Sequence, residues 1–232
     1  MLRVMASASL PQGQLNRRSS GEVAALYVRK LIFDGYLRPG ARVHQDDVAQ
    51  ALGISRIPVR EALIALEQQG WVTIEPNRGA FVAPLDEQAV RDHYELYGLV
   101  YGFAAKKALE RSDSALGEKL IQLAGDYGTA TDPAEAQRIA LAFHAAVIGA
   151  ACSPRINVLV RSLSALVPGD FYELVPNAKE LQWPGFSAVA RACGGGDGER
   201  AADEYAKMMR EVGGEVVRLF HRRGLFEFSS GE

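Results

Sequence analysis

The sequence has little of several features that would place it in a specialised class of protein. It has two cysteines, Cys152 and Cys193, which are too few for a disulfide framework or a cysteine metal cluster. No stretch approaches the roughly 20 apolar residues of a membrane span, and residues 1–20 lack the apolar centre of a secretory signal. These absences predict a cytoplasmic protein with no membrane partner and a mobile tail over residues 1–20.

The sequence also lacks an excess of charge of one sign, since its 232 residues carry a net charge of −2. That balance hides an asymmetry. Residues 1–85 hold ten Lys or Arg and seven Asp or Glu, whereas the remainder holds 16 basic and 21 acidic residues. Together with a hydrophobic content of 48%, the asymmetry predicts two folded domains with different tasks, of which only the first suits a polyanion.

The string Ser55-Arg56-Ile57-Pro58-Val59-Arg60-Glu61-Ala62-Leu63 is the most informative part of the sequence, and it predicts a DNA-recognition helix. Ser55 can cap the helix through its hydroxyl, and Pro58 falls in the first turn, where its missing N–H removes no helical hydrogen bond. Arg56 and Arg60, four residues apart, point away from the apolar face. That face consists of Val59, Ala62, Leu63 and Leu66. Such a helix packs on its own domain and presents arginines to a groove of DNA.

The flanking segments predict the rest of a winged helix-turn-helix domain. Residues 45–52 have the apolar spacing of a support helix, and Gly53 supplies the tight turn that follows. Two β-prone segments come after the recognition helix, at residues 71–75 and 80–82, and residues 76–79 form the turn between them. We expect Gly79 to take a positive φ or a close backbone approach, and Arg78 to meet phosphate or the minor groove.

Over residues 22–85 the sequence resembles the winged-helix domain of the GntR family of bacterial transcription regulators. The resemblance rests on the Ser55–Leu63 string and on Arg78-Gly79-Ala80-Phe81-Val82. It implies a double-stranded DNA operator as partner, contacted by Ser55, Arg56 and Arg60 of the recognition helix and by Gly79 of the wing. With Pro58 and Arg78, which lie beside them in the same two segments, these are the expected DNA-binding residues. Some members of the family have an arginine in the support helix where this sequence has Asp46. Because a carboxylate repels phosphate, we expect the support helix to contribute less to DNA binding here.

Outside the wing the pattern is helical. A first helix is predicted from Gly21 or Glu22 to Asp34, and after residue 86 the β signals disappear. The later helices are predicted at 87–111, 114–126, 133–151, 154–166, 181–193 and 198–222. The triple glycine 194–196 lacks the strand and the Lys-Ser/Thr of a phosphate loop, so it predicts a helix stop and a linker. The Gly213-Gly214 pair predicts a loosened or kinked last helix.

Residues 87–225 resemble the FCD-type ligand-binding domain of one large GntR subfamily. The resemblance rests on Phe143-His144-x-x-x-Ile148-x-x-Ala151, Ser153-Pro154-Arg155 and Gly196-Asp197-x-Glu199-Arg200-Ala201. It implies a helical bundle that commonly holds a divalent metal through one Asp and three His. Only His144 matches a ligand, because the other positions are Ala140, Phe186 and Met208. One imidazole cannot supply the converging donors that a divalent ion needs, so we expect no metal and no cofactor.

The first helix of the FCD-like region departs from its subfamily as well, because the usual arginine and glutamate correspond to Tyr97 and Tyr101. Tyr94 and Phe103 lie nearby. An aromatic stripe at helical spacing is more often core than pocket, but the joint loss of charged ligands favours an apolar, aromatic cavity. The expected pocket residues are Tyr97, Tyr101, Ala140, His144, Phe186 and Met208. We expect an effector with substantial apolar surface, hydrogen-bonded by a tyrosine hydroxyl or by His144.

The complete prediction is a mostly α protein with a tail over residues 1–20, a winged helix-turn-helix domain over 21–85 with a small β-hairpin wing, and an all-α bundle over 86–228. It would be a homodimeric transcription regulator, a repressor controlled by a small molecule. Two alternatives stay open. The bundle could be fully packed and only dimerise, or it could be an enzyme with His144 as base and Tyr97 or Tyr101 as acid. Since no nucleophile–base–orienter set is visible, we expect no enzyme.

Overall fold

The computed structural model describes residues 19–112, 115–164, 172, 175 and 177–226. These residues form two compact units. The winged unit comprises residues 19–87 and 220–226, and the helical unit comprises the described residues between 88 and 219. Residues 220–226, which the sequence assigned to the second domain, therefore pack with the first. Among the described residues, no helix is both long enough and apolar enough to span a lipid bilayer.

The winged unit begins with helix α1, Ser20–Phe33. The helix starts slightly earlier than predicted because Ser19 and Glu22 form a capping box, in which the Glu22 N–H donates to Ser19 Oγ at 3.2 Å and the Ser19 N–H donates to Glu22 Oε2 at 2.8 Å. Of the predicted tail, residues 1–18 lie outside the described part of the chain. The buried face of α1 consists of Ala24, Tyr27, Val28, Leu31, Ile32 and Phe33.

The helix-turn-helix follows the sequence prediction closely. Helix α2 is Gln45–Leu52 and helix α3 is Arg56–Gln68. Gly53 lies between them in the left-handed region with φ of 65°, a conformation that L side chains rarely adopt. Helix α3 packs against α1 and α2 with the four apolar residues that the sequence placed on one face, Val59, Ala62, Leu63 and Leu66, all of which are buried.

The wing is a three-stranded antiparallel sheet rather than a simple hairpin. Its strands are β1, Arg42–Val43, β2, Val72–Glu75, and β3, Gly79–Val82, in the order β1-β3-β2. Strands β2 and β3 form the predicted hairpin, with Thr73 opposite Phe81. Strand β1 was missed, because two residues are too few to show an alternating pattern.

The end of the chain completes the core of the winged unit. The Phe220 ring lies 5.4 Å from the Phe33 ring and 6.5 Å from the Trp71 ring, measured between centroids, and none of the Phe220 side chain is exposed. Arg223 adds an ion pair, with its Nη1 3.7 Å from Asp34 Oδ1. Because these contacts join residues far apart in the chain, no local sequence pattern could predict them.

The helical unit has no strand among its described residues. Its helices are α4, Glu87–Arg111, α5, Ala115–Thr129, α6, Pro133–Ala151, α7, Pro154–Leu163, α8, Ala178–Gly194, and α9, Gly198–Arg223. Asp132 and Ser153 cap α6 and α7 through their side chains, each followed by a proline in the first helical turn. Residues 220–223 at the end of α9 belong to the winged unit.

Small residues bring α4 close to α9 within the helical unit. A Cβ added to Gly98 would lie 2.9 Å from Ala206 Cα, and one added to Gly102 would lie 3.0 Å from Ala202 Cα. Helix α9 continues through Gly213 and Gly214 without a break. A Cβ at Gly213 would lie 2.6 Å from Tyr94 Cβ, so this glycine makes room for a buried tyrosine.

Candidate nucleic-acid interface and effector site

The recognition helix α3 presents its first turn to solvent. Ser55 occupies the N-cap position with extended backbone, but its hydroxyl makes no capping hydrogen bond, contrary to expectation. The reason is local. An N-cap hydroxyl accepts from the N–H of the second or third helical residue, and the third residue here is Pro58, which has no N–H. Ser55 is exposed, and its hydroxyl is not held by a cap.

Arg56 and Arg60 lie on the exposed side of α3, as the sequence predicted. The Arg56 side chain is 72% exposed, and its Nε forms an ion pair with Asp46 Oδ1 of α2. The sequence analysis assigned Asp46 a single role, that of a carboxylate that repels DNA phosphate. In the structure the same carboxylate pairs with Nε of the Arg56 guanidinium, and such a pair limits the positions that Arg56 can take.

The wing tip carries two arginines rather than one. Arg78 pairs with Glu75, and its guanidinium carbon lies 5.5 Å from the centre of the Phe81 ring. Gly79 has φ of 106°, and a Cβ there would lie 3.2 Å from Arg42 Nε. Gly79 therefore provides the expected positive φ and also makes room for Arg42. The sequence analysis missed Arg42 because strand β1, which positions it, was not predicted.

A carboxylate connects the wing to the recognition helix. The Ile74 N–H of strand β2 donates to Glu67 Oε1 near the end of α3, at 2.7 Å. This N–H is on the edge of the sheet that faces away from β3, so without Glu67 it would have no partner within the sheet. The side chain of Glu67 thus fixes the wing against the helix that carries Arg56 and Arg60.

In the helical unit the structure brings together most of the predicted pocket residues. The Tyr101 ring lies 4.6 Å from His144 and 5.0 Å from Tyr97, and His144 lies 5.2 Å from Phe186, measured between centroids. Met208 is buried beside Gly185, next to Phe186 in the chain. Ala140 is buried one turn before His144 on α6. Phe103, which the sequence grouped with the tyrosines, is instead 52% exposed.

Three buried polar atoms in this part of the helical unit have no hydrogen-bond partner among the residues that the structure describes: Tyr94 Oη, His144 Nδ1 and Tyr205 Oη. Burial lowers the pKa of His144 to about 4, so its imidazole is neutral at neutral pH. Burial also raises the pKa of Tyr205 well above its ordinary value, so this phenol keeps its proton. Sequence reasoning missed Tyr205, whose ring stacks on Tyr101 at 5.2 Å, because its local pattern is that of an ordinary core residue.

The residues around His144 do not fit a metal ion. The polar side chains whose rings contact His144 are Tyr101 and Tyr205, whose raised pKa values keep them protonated, while Ala140 and Phe186 offer no donor. No group of three or more His, Cys, Asp or Glu side chains that could hold a metal occurs in the part of the chain that the structure describes.

Two cavities among the described residues lie away from this aromatic cluster. One, of about 480 Å³, lies in the winged unit between α1 and α3, beside Gly21, Leu26 and Glu61. The other, of about 450 Å³, lies in the helical unit beside Asp132, Tyr172 and Lys179. Neither of these two cavities is lined by Tyr97, Tyr101 or His144, whose rings contact one another directly.

Comparison with known proteins identifies the winged unit. The family model described as "Bacterial regulatory proteins, gntR family" matches residues 21–82. Residues 21–82 are a GntR-family domain. An uncharacterized HTH-type transcriptional regulator of Mycobacterium tuberculosis is 27% identical over 154 residues, which are 66% of this chain and 63% of that protein. The Nta operon transcriptional regulator of Aminobacter aminovorans is 29% identical over 133 residues, covering 56% of this chain and 62% of the relative.

Solved structures agree on the fold beyond the GntR domain. Escherichia coli McbR/YncC superposes with a TM-score of 0.63 at 20% identity, over 88% of this chain and 99% of that one. A GntR family member from Pseudomonas syringae superposes with a TM-score of 0.54 at 22% identity, over 96% and 93%. The fold is thus a GntR helix-turn-helix domain with a helical domain, and the named relatives are transcription regulators rather than enzymes. The chain spans less than two thirds of the length of the curated relatives named here.

Proposed function

We propose that the protein is a homodimeric, sequence-specific DNA-binding regulator that represses transcription. The proposal rests on the N-terminal part of α3. Arg56 and Arg60 are exposed there, while the apolar face of the same helix is fully buried. In helix-turn-helix proteins the N-terminal residues of the second helix contact base edges in the major groove. Arg42 and Arg78 at the wing are suited to the flanking phosphates.

The modest charge of residues 1–85 supports binding by two copies. An excess of three basic over acidic residues in this region supplies few phosphate contacts per copy. Two copies related by a two-fold axis double those contacts and match two half-sites about one helical turn apart. The expected operator is therefore a near-palindrome.

The test is arginine removal measured on a duplex selected by the protein itself from random DNA. We expect Arg56→Ala and Arg60→Ala each to cost about 1–3 kcal/mol of binding free energy, in line with loss of a base-reading arginine. Fluorescence anisotropy at fixed salt measures the loss. Arg138→Ala is the matched control, because this arginine of α6 is equally exposed, at 71%, and lies in the helical unit.

Base-reading and phosphate-binding roles give different results in the same assay. Loss of a base contact lowers affinity for the selected duplex and leaves binding to unrelated DNA nearly unchanged, whereas loss of a phosphate contact weakens both. If the Arg56→Ala, Arg60→Ala double variant binds the selected duplex as tightly as the parent, the assignment of α3 as the recognition helix is wrong.

For the helical unit we infer control by a neutral or weakly acidic small molecule with apolar surface. The support is the pair of unpartnered buried groups beside one another, His144 Nδ1 and Tyr205 Oη, whose rings lie 6.0 Å apart. An unsatisfied buried polar atom costs about 1–3 kcal/mol, which a ligand's own donor or acceptor would recover. The competing function, a dimer that needs no ligand, is favoured by the close packing of the Tyr101 and His144 rings.

A thermal-shift screen with a panel of phenols and aromatic carboxylic acids separates the two functions. Under effector control at least one compound raises the melting temperature of the parent, since ligand that binds only the folded state stabilises it. The same compound should have little effect on a His144→Phe variant, and it should change affinity for the selected duplex. A parent that responds to no compound supports the ligand-independent dimer.

A further inference from the structure

We propose that Ile57 reads a base of the operator, by contact with the 5-methyl group of a thymine in the major groove. The inference rests on the proposed function and deepens it by naming the chemical group that is read in each half-site. Ile57 is 71% exposed, more than any other large apolar side chain among the described residues. Burial in the core therefore does not account for an isoleucine at this position.

The buried face of α3 fixes the direction in which Ile57 points. That face packs the helix against α1 and α2 and consists of Val59, Ala62, Leu63 and Leu66. Successive residues of an α-helix are turned by about 100°, so the Ile57 side chain leaves α3 about 170° from the centre of the buried face. Helix α3 cannot rotate to cover Ile57 without exposing its four apolar residues, so Ile57 points directly away from its own domain.

The side chains around Ile57 are polar, and two of them are basic. Arg56 precedes it at the start of α3, and Arg60 follows three positions later; both are exposed. By the same helical geometry the two arginines leave the helix on one side of Ile57, at about 100° and about 60° from it. Two guanidinium groups beside an apolar side chain favour a polyanion as the partner of this surface.

A carboxylate shares this side of α3, that of Glu61, which follows Ile57 by one turn. The Glu61 side chain extends toward the start of α1, where a Cβ added to Gly21 would lie 3.8 Å from Glu61 Oε2. The carboxylate therefore lies beside α1 and leaves Ile57 uncovered.

The position of Ile57 in the helix matters more than its exposure. A single exposed apolar side chain is ordinary on a protein surface and does not by itself mark a binding site. Ile57, however, is the second residue of α3, and the N-terminal residues of the second helix are the ones that contact base edges in helix-turn-helix proteins. A side chain there that points away from the domain enters the groove toward the bases.

The chemistry of the major groove then selects the base. Among the groups by which the four base pairs are distinguished there, the 5-methyl of thymine is apolar, and the others are hydrogen-bond donors and acceptors. Ile57 has no side-chain donor or acceptor, so it gains nothing from those polar groups. Against a methyl group it removes apolar surface from water on both sides of the contact. Ile57 should therefore prefer thymine on one particular strand.

Isoleucine is also suited to the contact by its stiffness. Its branched Cβ leaves one strongly preferred χ1 angle in a helix, so little side-chain freedom is lost when DNA binds. Helix stability does not explain the residue, because leucine, methionine and arginine all favour a helix more than isoleucine does.

Replacement of thymine by deoxyuridine tests the contact one methyl group at a time. In the duplex that the protein selects from random DNA, each thymine is replaced in turn, which removes the 5-methyl and keeps the base pair. We expect one position in each half-site at which the parent loses affinity about three- to fivefold, the effect of one buried methyl group. Fluorescence anisotropy at fixed salt measures the loss.

Protein variants assign that effect to a residue. Ile57→Ala should bind the thymine and the uracil duplex equally, whereas Ile57→Val, which keeps the branched Cβ, should retain most of the difference. Ile64→Ala is the matched control, because it removes an isoleucine from the same side of α3 two turns later, where the side chain is 44% exposed. Ile64→Ala should show the full uracil effect. Equal melting temperatures of the variants check that each is folded.

A methyl group restored on a different base provides the converse test. A cytosine in place of the critical thymine should lower affinity, and 5-methylcytosine, which carries a methyl at the same place in the groove, should recover part of the loss. The recovery should occur with the parent and not with Ile57→Ala.

The outcomes separate this inference from the proposed function. If the parent binds the selected duplex and uracil has no effect at any position, or has the same effect on Ile57→Ala as on the parent, Ile57 does not read a thymine methyl. The recognition helix then still stands on the results for Arg56→Ala and Arg60→Ala. If the parent selects no duplex from random DNA, the proposed function itself fails.

Discussion

The two units of this protein place their polar groups in opposite ways. In the winged unit the buried side chains are mostly apolar, a single buried side-chain atom of its described residues, Gln69 Oε1, lacks a hydrogen-bond partner, and Arg56, Arg60, Asp46 and Ser55 lie at the surface. In the helical unit polar groups are inside, where Tyr94, Tyr205 and His144 bury unpartnered atoms and Gln182 is buried with a hydrogen bond from Tyr127. A surface that meets DNA can be recognised from a short motif, because neighbours in sequence are neighbours on the helix. An interior that meets a ligand is assembled from distant segments.

The most consequential test of this comparison concerns which residues belong to the winged core. We expect Phe220→Ala to lower the free energy of unfolding of the winged unit by about 3–5 kcal/mol, because it removes a fully buried aromatic ring from contact with Phe33 and Trp71. Urea denaturation of the full chain, followed by the fluorescence of Trp71, measures it. Trp183→Phe provides a background without the tryptophan of the helical unit.

Leu141→Ala is the control for the Phe220 variant, since an exposed leucine away from both cores should cost less than about 0.5 kcal/mol. A Phe220→Ala protein as stable as the parent would mean that residues 220–226 are not part of the winged core, and that the first unit ends near residue 87.

The same contrast explains how much the sequence could predict. Helices α2, α4 and α6 have the predicted bounds, because Gly53, Asp86 and Asp132 lie next to clear apolar periodicity. The aromatic cluster was only partly predicted. Tyr97 and Tyr101 came from a resemblance, but Tyr205 lies about a hundred positions away on α9, and nothing in its local pattern separates it from an ordinary core tyrosine. Long-range packing decided which tyrosine stacks on Tyr101.

The helix ends that were misplaced have local physical reasons. Helix α8 begins three residues before its predicted start and continues through Pro184, which the pattern would have placed near a helix start. Helix α1 begins at Ser20 because the reciprocal bonds of Ser19 and Glu22 cap it there. The predicted end of α7 at residue 166 falls outside the described residues, which continue through Ser164 in this segment.

A second test uses the buried imidazole of the helical unit. The folded pKa of His144 is about 4, below the ordinary value of 6.5, so the unfolded chain binds the proton more readily. Stability from this group is therefore present above about pH 6.5 and is lost as pH falls toward 4. We expect about 1–2 kcal/mol to be lost between pH 7 and pH 5, measured by urea denaturation of the helical unit.

His144→Phe should reduce that pH dependence, and His44→Gln, which replaces an exposed histidine of the winged unit, should not. Some dependence should remain in the His144 variant, because burial also lowers the pKa of His93. A His144→Phe protein with the full pH dependence of the parent would show that the imidazole is hydrated rather than buried among the rings.

The smallest expected effect concerns Asp46, whose two possible roles predict opposite outcomes. If it orients Arg56, Asp46→Asn should reduce the preference for the selected duplex over one with a changed base by about two- to fivefold, since an exposed ion pair contributes at most about 1 kcal/mol. Binding to unrelated DNA should not weaken, because a negative charge near phosphate has been removed. Competition binding against a set of single-base variants of the duplex measures the preference.

Asp47→Asn is the control, because it removes the same charge from the next position of α2. Simple repulsion would make both variants bind every sequence more tightly while leaving the base preference unchanged. If Asp46 orients Arg56, only Asp46→Asn should lose discrimination between bases, and only at the base that Arg56→Ala also affects. That shared position matters most, because a carboxylate that merely weakens binding has no means of acting on one base pair. If Asp46→Asn and Arg56→Ala lose discrimination at the same base, Asp46 and Arg56 read DNA as a pair.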